Sequence, residues 1–306
     1  MKVFSPKLIS MAWAGTLCLG LVAWEWHAVA AAPFKNLAVA EQTPSQSGAQ
    51  TQSGQAPTAN YTKEEYDGLQ KIGPMTDPKA KAEAVEEFLK KYPNSSLAGY
   101  AHREALSAYQ QLNKAEKIIE HGELVLKQSP TDVQVLSLMA YVYSERPSMD
   151  KSFREKALQS AQKAIDQLGS MVKPAAVTDA DWERAKKQLL TMNYSTEGLV
   201  FLNYGMDTKD KEEKNKHLTK SVDWLQKALE LNKADDLSWY RLGLAYIEQN
   251  KGEDAVKSLA KAVAINGPVK SFAQTTLEDI YKKLHKNSTE GLADVIKKAT
   301  EELGAK

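Results

Sequence analysis

The segment Asp236–Val269 reads DLSWYRLGLAYIEQNKGEDAVKSLAKAVAINGPV, and it predicts the fold of the chain. Two stretches with apolar residues at helical spacing are separated by the turn sequence Asn250-Lys251-Gly252. The sequence KALELN at 227–232 returns 34 residues later as KAVAIN at 261–266. A period of this length indicates a repeated helical hairpin.

Seven positions of this segment form the predicted core of the hairpin. Small residues at 243 and 255 allow two helices to cross closely, and the larger residues fill the space between hairpins. The seven are Trp239, Leu242, Gly243, Tyr246, Ala255, Leu259 and Ala262. Because one hairpin cannot bury this face alone, neighbouring hairpins must stack against it.

These seven positions, followed by Gly267-Pro268, resemble the tetratricopeptide repeat. Leu259 stands where that pattern has phenylalanine, and the proline comes one place late. The resemblance implies an all-α fold, a right-handed α-solenoid of stacked helix-turn-helix hairpins. With the leader described below, the chain is similar to the exported bacterial members of that family.

The rest of the folded region, 61–306, carries looser copies of the pattern. We predict hairpins at 62–95, 99–132, 133–169 and about 191–235, before the best repeat at 236–269. The segment 170–181 is an irregular insert, and a helix that starts near Asp181 runs into the fourth hairpin. Residues 270–303 are predicted to form two polar capping helices, which repeat arrays need for solubility.

The N-terminus has the three-part layout of a secretory signal. Lys2 and Lys7 precede an apolar run, Leu8–Trp24, which is followed by the small residues Ala28–Ala32. We interpret 1–31 as a signal peptide, or alternatively as an uncleaved anchor, because the apolar run is short for a membrane span. Residues 32–60 are rich in Gln, Ser, Thr and Pro and are predicted to form a disordered linker.

Composition argues against several classes of function. The chain has 40 basic and 39 acidic residues, so it lacks the positive charge of a nucleic-acid-binding protein. Cys18, inside the leader, is the only cysteine. The location is predicted from the leader instead: a secretory signal implies the periplasm or cell envelope, with attachment to the inner membrane only if the leader is retained.

Motifs of catalysis, cofactor binding and metal binding are missing from the sequence. We interpret the histidines His102, His121, His217 and His285 as solvated helix residues, because they lack the spacing of metal ligands. Asp179 is interpreted as a helix N-cap. Trp182 is expected to pack the insert onto a neighbouring helix, or alternatively to contact a partner. The sequence thus predicts no enzyme, no cofactor and no metal site.

The resemblance implies a concave groove, lined by the first helix of each hairpin, in which a partner peptide lies. The positions carried over are Tyr100, Arg103, Ser107, Gln110, Gln134, Ser137, Tyr141, Ser195, Leu199, Leu202, Leu237, Tyr240 and Leu244. The later positions are apolar and would suit an amphipathic helix, unless the chain covers them itself.

Three hypotheses about function follow. The first is a non-catalytic scaffold that binds a protein or peptide segment in this groove. The second is a small-ligand binder or accessory subunit of an enzyme that uses the insert at 170–181. The third is a structural array that assembles from copies of the chain; the sequence does not indicate the oligomeric state.

Overall fold

A computed structural model describes residues 61–146, 151–175 and 177–304. The predicted signal peptide at 1–31 and the predicted linker at 32–60 lie outside the described residues. Within them the chain forms twelve α-helices and no β-strand. The helices are α1 Lys63–Ile72, α2 Pro78–Lys91, α3 Ala98–Gln111, α4 Ala115–Gln128, α5 Val133–Ser144, α6 Lys151–Ser170, α7 Asp179–Asp207, α8 Lys211–Leu231, α9 Asp236–Glu248, α10 Gly252–Ile265, α11 Lys270–Leu284 and α12 Leu292–Gly304.

Two hairpins share the same tight turn. Asn113 after α3 and Asn250 after α9 adopt left-handed backbone conformations, with φ of 54° and 59°. The amide of Lys114 donates to the carbonyl oxygen of Tyr109 at 3.0 Å, and that of Lys251 donates to the carbonyl oxygen of Tyr246 at 2.9 Å. Asparagine tolerates this conformation better than most residues, so the Asn-Lys pairs end one helix and start the next.

Side-chain caps fix several helix starts. Asp77 accepts a hydrogen bond from the amide of Ala80 at 2.6 Å, and Asp210 accepts one from the amide of Glu213 at 2.8 Å. At α7 the cap is Thr178, whose hydroxyl accepts from the amide of Asp181 at 3.1 Å. The interpretation of Asp179 as the cap is therefore wrong, because Asp179 is already the first helical residue.

The helix α7 is longer than a repeat helix. Its 29 residues run from the end of the insert through the fourth hairpin without a break, as the sequence predicts. The insert itself is non-helical between α6 and α7, at 171–175 and 177–178.

The chain divides into two compact units. The first, the N-terminal unit, contains α1 to α4 with Val172–Ala185, and α1 packs on α2, α2 on α3 and α3 on α4. The second, the C-terminal unit, contains Leu136–Met171 and the described residues from Lys186 onward, with α9 packed on α8 and α10, and α10 on α11 and α12. The prediction of an all-α fold whose successive helices pack as neighbours is confirmed.

The core of the C-terminal unit depends on close helix contacts. Leu259 is fully buried, and a Cβ atom added at Gly243 would lie 2.6 Å from its Cγ atom. The same arrangement recurs at Gly198, where an added Cβ would lie 2.5 Å from Cγ of Leu225. Glycine is thus required at both crossings because no side chain fits there. None of the helices in the described ranges is long and apolar enough to cross a membrane.

Candidate functional site

The first helix of the best repeat carries an apolar stripe on its surface. Leu237, Tyr240 and Leu244 stand at i, i+3 and i+7 on α9, and all three are half-buried. Tyr240 and Leu244 rest against the core formed by α10, α11 and α12. We call these three residues the α9 stripe; Tyr240 and Leu244 pack on the core, and all three side chains remain partly exposed.

Beside the α9 stripe lies a buried polar network that joins three helices. Arg241 is 3% exposed, and its guanidinium donates to the hydroxyl of Ser195 at 2.7 Å and to the Ser195 carbonyl oxygen at 3.2 Å. Its other terminal nitrogen forms an ion pair with Glu145, at the end of α5. Ser238 donates to Ser195 at 2.8 Å. Residues from α5, α7 and α9 are thus linked through one guanidinium.

Asn193, just before Ser195 on α7, makes further polar contacts. Its amide donates to the hydroxyl of Ser137 and to the carbonyl oxygen of Leu189, both at 2.7 Å. In the described residues, the Asn193 side-chain oxygen and the Thr196 hydroxyl are buried without a hydrogen-bond partner. Unpaired buried polar atoms are uncommon in folded proteins and cost stability.

These contacts bury much of the predicted groove. Six of its positions lie in the interior instead of at the surface: Gln110 at 8%, Ser137 at 0%, Tyr141 at 2%, Ser195 at 3%, Leu199 at 8% and Leu202 at 1% exposed. For Ser137 and Ser195 the reason is that the first helices α5, α7 and α9 meet there through small polar residues, and Leu202 lies in an apolar core with residues of α8 and α9. For these six, lining an open groove would require the helices to separate.

In the N-terminal unit the corresponding positions on α3 stay half-buried. Tyr100, Arg103 and Ser107 follow one another at i, i+3 and i+7. Arg103 forms an ion pair with Asp132, which also caps the start of α5 by accepting from the amide of Gln134 at 3.1 Å. Partial burial raises the pKa of Tyr100, so its phenol stays neutral over the physiological range.

The predicted core of the best repeat lies inside the C-terminal unit. Trp239 and Tyr246 are half-buried and pack against that core. The other five are buried: Leu242 and Gly243 on α9, and Ala255, Leu259 and Ala262 on α10. Trp182, in the N-terminal unit, is 5% exposed, which fits the packing interpretation.

The insert uses its polar groups internally. The Lys173 ammonium donates to the carbonyl oxygen of Val177 at 2.9 Å and pairs with Asp179 at 2.8 Å. Within the described ranges, no cluster of three or more histidine, cysteine or acidic side chains is arranged to hold a metal ion.

Two histidines differ from the sequence interpretation. His121 is 1% exposed, and its Nδ1 atom lies 2.9 Å from Nδ1 of His102, so His121 is not a solvated residue. Nε2 of His121 lies 3.3 Å from a carboxylate oxygen of Glu86. The two histidines are 19 residues apart in the sequence, and the turn between α3 and α4 brings their rings together.

A second buried titratable group lies on α7. Glu197 is 4% exposed, with Lys227 of α8 and Asp166 of α6 as its charged neighbours. Burial raises the pKa of Glu197 to about 7, Lys227 partly opposes this, and Asp166 adds to it. A carboxyl in this state changes charge near neutral pH.

Replacing Glu197 with glutamine is expected to stabilise the C-terminal unit at pH 8 and to have little effect at pH 4.5. The pKa is higher in the folded state, so the carboxyl contributes stability below about pH 4.5 and loses it as the pH rises through 7. From the size of this shift the gain is about 2–3 kcal/mol at pH 8. Urea titrations at both pH values measure it.

The matched control for that prediction is Glu230→Gln, at an exposed glutamate on α8. Burial also raises the pKa values of Asp235 and Asp236, but both variants keep these groups, so their contribution cancels. An equal gain from Glu230→Gln would contradict the role assigned to burial at Glu197.

Comparison with known proteins identifies no family. No family model matches the chain, and no curated protein matches it. Among solved structures, the chain is similar to the assembly chaperone of RpL4 (Acl4), residues 1–338, with 11% sequence identity and a TM-score of 0.48. The similarity covers 79% of this chain and 96% of that one. At this level of similarity, no functional property is transferred.

Proposed function

We propose that the protein is an exported, non-catalytic scaffold that binds a segment of a partner protein at the α9 stripe. The observation that supports this is the pattern of Leu237, Tyr240 and Leu244, which are half-buried on one line of α9, with Tyr240 and Leu244 packed against the core of α10, α11 and α12. Apolar side chains held in this way form a preorganised contact surface, since they lose little conformational entropy when a partner binds.

The chemistry of the surface favours an amphipathic helical segment. A helix presents its own apolar residues at i, i+3 and i+7, the spacing found on α9. At the far end of α9, the Glu248 carboxylate pairs with Lys214 at 2.6 Å. This ion pair gives the apolar stripe a polar border, as is common at protein interfaces.

Export rests on the N-terminal sequence alone. We propose delivery to the periplasm or cell envelope through the 1–31 leader, with 32–60 as a tether. A leader retained as an anchor would attach the same scaffold to the inner membrane.

A photoreactive phenylalanine analogue at position 240 tests the binding site. In intact cells we expect it to cross-link to one partner protein, because Tyr240 lies in the middle of the α9 stripe. The matched control places the same analogue at 201, where Phe201 is also half-buried but stacks on His217 of α8. Leu244→Ala should reduce the cross-link from 240.

Three results would contradict the site. They are no cross-linked partner from 240, the same products from 240 and 201, or no effect of Leu244→Ala. A product with twice the mass of the chain would instead favour the self-assembling array. In that case the apparent size of the protein in solution should increase with its concentration.

A further inference from the structure

The two histidines between α3 and α4 form a contact that depends on how many protons they hold. Nδ1 of His102 and Nδ1 of His121 are 2.9 Å apart, and the ring centroids are 5.1 Å apart. A contact of this length requires one nitrogen to donate a hydrogen and the other to accept it. His121 is 1% exposed, so water cannot readily reach its ring nitrogens and replace their hydrogen-bond partners.

A carboxylate fixes the other side of His121. Glu86 of α2 receives a hydrogen bond from the Tyr109 hydroxyl at 2.7 Å and one from the Lys117 ammonium at 3.1 Å, and it lies 3.3 Å from Nε2 of His121. Lys117 also pairs with Glu120 at 3.0 Å. Side chains from α2, α3 and α4 therefore meet at one acidic group.

Proton counting shows how the contact fails. With both rings neutral, one Nδ1 atom donates to the other. With one extra proton the arrangement still works, since His121 can donate from Nδ1 to His102 and from Nε2 to Glu86. With two extra protons both Nδ1 atoms carry hydrogens, so two donors and two positive charges face each other at 2.9 Å.

We propose that the His102–His121 contact is a proton-operated latch, which holds the α3–α4 hairpin closed at neutral pH and releases it in mild acid. Release would uncover the buried hairpin residues Ala105, Ile118 and Val125. The latch belongs to the N-terminal unit and is independent of the α9 stripe.

The electrostatics of the pair supports the direction of this response. Burial lowers the pKa of His102 and the charge of His121 lowers it further; burial also lowers the pKa of His121, and Glu86 only partly offsets this. Folded-state pKa values below the ordinary 6.5 mean that the stability is present above pH 6.5 and is lost as the pH falls through the lowered values.

Three groups around the pair, Tyr109, Lys117 and Glu86, do not titrate in that interval. Burial and the Glu86 hydrogen bond raise the pKa of Tyr109 to about 12, and the Glu120 and Glu86 hydrogen bonds raise that of Lys117. Burial raises the pKa of Glu86, but the Tyr109 and Lys117 hydrogen bonds outweigh it, so the net value is low. Glu120 is the other carboxylate near both rings.

Hydrogen exchange of the whole chain at pH 7.5, 6.5 and 5.5 tests the latch. After correction for the intrinsic pH dependence of exchange, the equilibrium constant for opening of α3 and α4 should rise as the pH falls. The rise is up to about tenfold per pH unit where each opening takes up one proton. His102→Gln removes one titrating ring and should flatten this rise. His217→Gln, at a half-buried histidine on α8, is the matched control and should leave it unchanged.

NMR titration of the imidazole protons in the wild-type chain gives a test that needs no variant. The latch requires His102 and His121 to titrate below pH 6.5 and to broaden or shift together with the α3 and α4 amides. Ordinary titration near 6.5, exchange that does not change with pH, or an undiminished rise in His102→Gln would each overturn the proposal.

Discussion

Leu259→Ala is expected to lower the free energy of unfolding of the C-terminal unit by about 3–5 kcal/mol. Leu259 is fully buried, and it packs so closely on α9 that no Cβ atom fits at Gly243. Truncation therefore removes apolar contacts and leaves a cavity that the two helices cannot easily close. Urea unfolding followed by helical circular dichroism measures the loss, and hydrogen exchange of α9 and α10 locates it.

Leu284→Ala serves as the control. Leu284 has the same side chain but is 40% exposed, near the end of α11, so its truncation should cost less than about 1 kcal/mol. Similar losses at the two positions would mean that the α9–α10 contact relaxes around the deletion. Because the chain has two units, the urea curve should be fitted without assuming a single transition.

The fold could be predicted from the sequence because the signals that determine it lie between residues close together in the chain. Asn113-Lys114 and Asn250-Lys251 are visible as turn signals, and the apolar spacing between them predicts the helices on both sides. The pairing of helices then follows from short connections, since a helix after a tight turn packs on its predecessor. The capping residues were harder to predict. The sequence interpretation made Asp179 the cap of α7, but in the structure the cap is Thr178.

The candidate site was harder to predict because its contacts join distant parts of the sequence. Arg241 and Glu145 are 96 residues apart, and Asn193 and Ser137 are 56 apart. No pattern within one hairpin reveals such pairs. The family resemblance placed Ser137, Ser195 and Leu202 at a groove. In the structure the two small serines let the helices approach and are buried between them, and Leu202 is buried in an apolar core with residues of α8 and α9. The predicted positions that keep part of their surface exposed are the α9 stripe, Tyr100, Arg103 and Ser107 on α3, and Gln134 on α5.

Arg241→Met is expected to cost the C-terminal unit about 2–4 kcal/mol. Methionine keeps most of the apolar length of the side chain but removes the guanidinium that Ser195 and Glu145 share. The Glu145 carboxylate, 21% exposed, then loses its partner while water reaches it only in part, which places the loss below that of a fully buried pair. Urea unfolding of the single variants and of the Arg241→Met/Glu145→Gln double variant measures it.

The double variant distinguishes the ion pair from simple packing. If the unpaired carboxylate causes the loss, Glu145→Gln should recover at least about 1 kcal/mol when combined with Arg241→Met, so the two changes are not additive. Lys216→Met breaks an exposed pair with Glu212, whose carboxylate is 80% exposed, and should cost under about 1 kcal/mol. A loss at Arg241 no larger than at Lys216 would mean that the first helices are held together by apolar contacts alone. The buried groove positions would then be the ones most easily opened to a partner.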